Sequence, residues 1–102
     1  MVDSDLKSYT ALYLKNAHEE IETVRSLIDL ERSDIKTLHR VCHSLKGQSF
    51  FMGFNDIGHK AMELEIFFKS LLNNHQVISL NDKLKVNAIL DEIEKLLAVV
   101  KI

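Results

Sequence analysis

Proline is missing from this 102-residue sequence, so no helix interior is interrupted by a locked φ or a lost N–H. A single cysteine, Cys42, rules out an internal disulfide and suits a reducing compartment; a cytoplasmic location is expected. No segment approaches the roughly 18 consecutive apolar residues of a membrane span, and the N-terminus does not read as a signal peptide. An excess of one charge is also missing. A net charge of −2 gives no pull toward nucleic acid or a membrane surface, and neither is expected as a partner. Glycine is scarce, and Gly47, Gly53 and Gly58 fall within one short central stretch. All five phenylalanines lie between Phe50 and Phe68. What remains, 46% apolar and 27% charged, is ordinary for a globular domain, and one domain is expected over residues 1–102.

The apolar residues repeat with a helical period. Leu6, Tyr9, Tyr13, Ala17, Ile21, Val24 and Ile28 step by three or four along one face, so a first helix is expected from Leu6 to about Glu31. Ser33 and Asp34 can cap a second helix, whose stripe is Ile35, Leu38, Cys42, Leu45, Ser49 and Met52. Gly53 is placed to end it. A third helix follows, with Asn55 expected as N-cap, Asp56 in its first turn, and a stripe of Ile57, Ala61, Leu64, Phe68 and Leu71. It should fray at Asn73 to Gln76. Ser79 and Asp82 form a capping-box pattern ahead of a fourth helix carrying Val86, Ile89, Ile93, Leu97 and Val100. Short connections make sequence neighbours antiparallel. The expected fold is all-α, an antiparallel up-down four-helix bundle.

Within the second helix, "HRVCHSLKGQSFFMGF" contains an oddity. Gly47 sits mid-helix, at a cost of about 1 kcal/mol relative to alanine. It stands four residues after His43, and Lys46 stands three after; both share the helix surface with that histidine. His43 lies about 100° around from core-facing Cys42 and should be largely exposed. A neutral imidazole is a nucleophile, and a phosphoryl group arriving on it brings negative charge that Lys46 can offset. Gly47 leaves room beside the ring. Phosphoryl transfer needs chiefly positioning and electrostatics, which an exposed histidine on a rigid helix supplies.

His43, Leu45, Lys46, Gly47, Ser49 and Gly53 fill every fixed position of H-x-L-K-G-x-S-x-x-x-G. The sequence thereby resembles the histidine phosphotransfer domains. "YTALYLKNAHEEIETVRSLIDLE" and "HKAMELEIFFKSLL" look like the first and third helices of the phosphotransfer domain that opens chemotaxis-type histidine kinases. The resemblance implies that His43 is phosphorylated through Nε2 and that Lys46 stabilises the phosphoryl charge. It implies that Gly47 gives clearance to a docking partner, and that Ser49 and Gly53 are structural. A glutamate on the third helix should hold the histidine's other nitrogen; ungapped alignment places it at Glu65. Ser44, Gln48 and Arg40, around His43 and Gly47, are expected on the partner-facing surface. Met62 stands where that kinase group has a histidine three residues before the glutamate.

The implied role is a phosphorelay intermediate that exchanges a phosphoryl group with the aspartate of a response-regulator receiver domain. A histidine kinase, in the same chain or another, would be the second partner. No cofactor is expected on this chain; Mg²⁺ would belong to the receiver's acidic pocket. No G-x-x-x-x-G-K-[ST] loop or kinase signature is present, so no ATP site is expected. Two other functions compete. A helical interaction module without chemistry would use the Phe50, Phe51 and Phe54 region. A metal-binding bundle would use His39 and His43 at i,i+4, but paired E-x-x-H motifs are missing and only Asp56-x-x-His59 comes near.

Overall fold

Four helices make up the fold, seen in a computed structural model that describes residues 3–30 and 32–102. They are α1 (Asp3–Ile28), α2 (Ile35–Phe51), α3 (Asn55–Asn73) and α4 (Leu80–Ala98). Consecutive helices pack against each other and α1 closes the ring against α4, with α2 and α3 the most extensively packed pair. The all-α four-helix bundle expected from the periodicity is the observed architecture.

The stripes meet in a single core. Tyr13, Ala17, Ile21, Val24 and Ile28 of α1 are buried with Leu38, Cys42 and Leu45 of α2. Ile57, Ala61, Leu64, Phe68 and Leu71 join from α3, and Val86, Ile89, Leu90, Ile93 and Leu97 from α4. Each fully buried aliphatic or Phe side chain stabilises the fold by about 1.5–3 kcal/mol, well above any helix-propensity difference among them. Ile35, Met52 and Val100, also expected in the stripes, are partly buried against this core, and two expected stripe residues are exposed. Leu6 and Tyr9 are 54% and 56% exposed. The buried face of α1 runs through Thr10, 6% exposed, to Tyr13, so Tyr9 sits one position off it and Leu6 lies a turn further toward the N-terminus. The expected end of α1 at Glu31 lies outside the described residues, and the helix stops at Ile28.

The helix ends follow local chemistry. Asp34 caps α2, accepting from Thr37 N at 3.1 Å and from Thr37 Oγ1 at 2.7 Å. The α2 terminus is a Schellman turn: Phe54 N donates to Ser49 O at 2.8 Å and Gly53 N to Phe50 O at 3.0 Å. Gly53 takes φ +84°, the left-handed conformation that favours glycine. Asn55 is not the N-cap of α3. Phe54 holds that position without a side-chain bond, because the three-residue connection is already fixed by the Schellman turn. The Ser79–Asp82 capping box is present in full.

Cross-helix polar contacts complete the frame. Arg25 of α1 reaches Asn87, Asp91 and Glu94 of α4, and Lys60 of α3 pairs with Glu92 of α4 at 2.6 Å. At the other end of α1, the buried Tyr13 hydroxyl bonds Ser49 Oγ at 2.7 Å and the Tyr13 ring stacks on Phe54. These bonds pin the C-terminal half of α2, which carries the site, against α1.

Candidate functional site

His43 projects from the middle of α2 with its side chain 63% exposed. Its neighbours Cys42 and Leu45 face the core, so the backbone beneath it is anchored. The ring is not free to turn. Its Nδ1 is hydrogen-bonded to Glu65 Oε2 from α3. An ionised carboxylate only accepts, so in the neutral ring Nδ1 carries the proton and Nε2 keeps its lone pair.

Glu65 is 8% exposed, the most deeply buried acidic residue of the described chain. Its second oxygen accepts from Lys46 Nζ at 2.7 Å. Burial tends to raise the carboxyl pKa. The bonds from Lys46 and His43 outweigh it and hold the group below its ordinary range. Glu65 therefore stays ionised and joins the histidine to the lysine. Lys46 is thus found on Glu65 at rest, whereas the sequence pattern alone directs it at an incoming phosphoryl group.

The other expected residues divide by position. Gly47 is exposed, and a Cβ added there would meet nothing within 4 Å among the described residues. Arg40 is exposed on the same helix. Ser44 and Gln48 are half-buried and bonded to each other, Gln48 Nε2 donating to Ser44 Oγ at 2.8 Å. They face α1 more than solvent. Ser49 is fully buried, in the structural place expected for it. The His39 ring stacks on His43 at 6.3 Å between centroids. Among the described residues no three His, Cys, Asp or Glu side chains are placed to hold a metal ion. Cys42 is no nucleophile: burial, then the charges of Glu20 and Glu65, push its thiol up to about 12.

Two features escaped the sequence reading. One is an apolar groove beside Gly47 and Gln48, walled by Leu6, Tyr9 and Leu12 of α1 and by Phe51. Phe51 is 87% exposed at its lip. Phe51, named for an interaction module, is its partial signal in the sequence. The other is Gly58, where a Cβ would come within 2.8 Å of the Phe50 ring.

An exposed imidazole, oriented by a buried carboxylate and open on its Nε2 side, is what a phosphoryl carrier requires. The sequence pattern of the Hpt domain matches residues 8–99. The chain belongs to the Hpt domain family. No curated protein and no solved structure matches it. As an Hpt domain it is a histidine-containing phosphotransfer module of two-component signalling, a class that works with histidine kinases and response regulators. Among the described residues of this Hpt domain, no helix is long and apolar enough to cross a membrane.

Proposed function

We propose that this Hpt domain is a phosphorelay intermediate whose carrier atom is His43 Nε2. The observation that supports it most directly is the Glu65 bond to His43 Nδ1, which in the neutral ring leaves the lone pair on the opposite nitrogen of a largely exposed side chain. In the acceptor direction, the Nε2 lone pair attacks the phosphorus of an aspartyl phosphate on a receiver domain. An N–P bond forms, the P–O bond breaks, and the aspartate carboxylate leaves with the electron pair. The ring acquires positive charge as it bonds phosphorus. Glu65, already ionised, stabilises that charge through Nδ1–H. The reverse path returns the group to a receiver. Mg²⁺ is supplied by the receiver and no cofactor is held by this chain; the exchange takes place in the cytoplasm.

The receiver comes in over Gly47, where no side chain obstructs it, and lies along the neighbouring groove of Leu6, Tyr9, Leu12 and Phe51. Arg40 and the lysine of the site give this face a positive edge suited to an acidic pocket. The buried Glu65 on α3 supports the likeness to the chemotaxis-kinase phosphotransfer domain. Met62, half-buried one turn earlier, is its departure from that group. The groove also suits a docking module without chemistry, and one experiment separates the two. His43→Gln should lose all acid-labile label from phosphoramidate or a phosphorylated receiver while keeping its helical circular dichroism. Label persisting on the variant would remove His43 as the carrier; absence of label on the wild type would favour the docking module.

A further inference from the structure

A hydrogen bond at Nδ1 fixes one point of the carrier ring, not its plane. The Nε2 lone pair lies in that plane, so the tilt of the ring aims the attack. Histidine does little to fix this tilt by itself, because its χ2 torsion is broad and lacks sharp staggered wells. A reacting group has to be held by its surroundings to within about 0.5 Å and roughly 10–20°. With its side chain 63% exposed, His43 has little packing to hold it. The residues three and four away on its helix surface are His39, Arg40, Lys46 and Gly47. Lys46 is bonded to Glu65, Gly47 has no side chain, and Arg40 is exposed. That leaves His39.

His39 lies one turn earlier on α2, half-buried, beside Leu38, which is fully buried in the core. Helix side chains lean toward the N-terminus, so the His43 ring leans back over that turn. The two imidazoles stack with centroids 6.3 Å apart and planes 18° from parallel. That separation lies within the range of favourable aromatic pairs. Tipping the His43 plane would distort this contact. Glu65 of α3 and His39 of α2 thus hold the ring in two different ways, one at its edge and one against its face.

We propose that His39 is a positioning residue for phosphoryl transfer: its ring, stacked on that of His43, sets the tilt of the imidazole and so the aim of the Nε2 lone pair. The inference rests on His43 being the carrier. The role needs a flat side chain and neither nitrogen of His39. No bond is made or broken at His39 itself. The stack acts on the ring before any partner arrives, so it serves a small phosphodonor and a receiver alike. In that respect it is the opposite of Gly47, whose open space serves the partner alone.

Two measurements on the whole chain test this. In the wild type, nuclear Overhauser contacts should join the ring protons of His39 and His43; their absence overturns the inference without any variant. Rates then test the role. His39→Leu keeps apolar bulk but loses the flat ring. It should slow labelling by phosphoramidate and transfer from a phosphorylated receiver by the same factor, about threefold to tenfold, with helical circular dichroism unchanged. His39→Phe restores a flat ring and should return both rates close to wild type. Wild-type rates in His39→Leu, or a His39→Phe as slow as His39→Leu, overturn the inference alone. So does a loss confined to the receiver, which would place His39 in the docking interface. Failure to label His43 in the wild type overturns the carrier assignment and this inference together.

Discussion

The two sides of α2 use the same residue type for opposite ends. Toward α3 the helices are so close that Gly58 has no room for a methyl group beneath the Phe50 ring, and Glu65 crosses the seam to hold His43 and Lys46. Toward solvent, Gly47 has open space around it and the groove beyond is apolar and unfilled. One glycine permits contact within the bundle; the other prevents obstruction outside it. The closed side fixes which way the imidazole faces, and the open side leaves it reachable. A carrier needs both, because in-line transfer demands an oriented nucleophile and a partner that can approach it.

Filling the open side should have the largest effect. Gly47→Gln is expected to keep the fold yet stand between the imidazole and the receiver aspartate. A displacement of about 1 Å can cost roughly a hundredfold in rate, so receiver transfer should fall steeply. Labelling by phosphoramidate, which needs less room, should fall much less. Equal losses with both donors would mean that the glycine serves the ring and not the partner.

Next comes the closed side. Glu65→Ala removes a charge-assisted bond to His43, worth about 1.5–3 kcal/mol, and should slow phosphorylation on the order of tenfold or more. Lys46→Ala should also slow it. Because Lys46 rests on Glu65, the double variant distinguishes its routes of action. Lys46 acting only through Glu65 makes the double variant as slow as Glu65→Ala; a direct role at the phosphoryl group makes it slower.

The stability effects are smaller and opposite in sign. Gly58→Ala should destabilise by about 1–3 kcal/mol, since the methyl must displace an aromatic ring. Gly47→Ala should stabilise by up to about 1 kcal/mol, through helix propensity alone. Urea unfolding midpoints measure both. Matching signs would erase the distinction between the two sides.

How much of this was legible in the sequence depends on the range of the interactions. Leu38, Cys42, Leu45, Phe68 and Ile93 declare themselves by spacing, because a helix repeats its face every three to four residues. Ser79 with Asp82, and Asp34, are visible because a cap is completed within three residues. The phosphotransfer motif from His43 to Gly53 is equally local. Glu65 could be placed only through the family resemblance, since its burial depends on packing between two helices. Tyr9 shows the limit of periodicity: steps of three and of four both fit a helix face, and the buried face takes polar Thr10 in place of apolar Tyr9. Asn55 lost its capping place to the turn before it. Ser44 and Gln48, expected on the partner-facing surface, are half-buried and bonded to each other, because how far they are covered depends on packing between helices.

The groove also gives the molecule an optical property. The sequence contains no tryptophan and two tyrosines, and both Tyr9 and Tyr13 line that groove. Tyr9 is open to solvent, while the Tyr13 hydroxyl is tied to Ser49. All of the intrinsic near-ultraviolet emission of this sequence beyond that of phenylalanine therefore originates at or just beneath the surface where a partner is expected to settle. A receiver free of tryptophan and tyrosine would report its own arrival by altering the Tyr9 signal, with no dye attached.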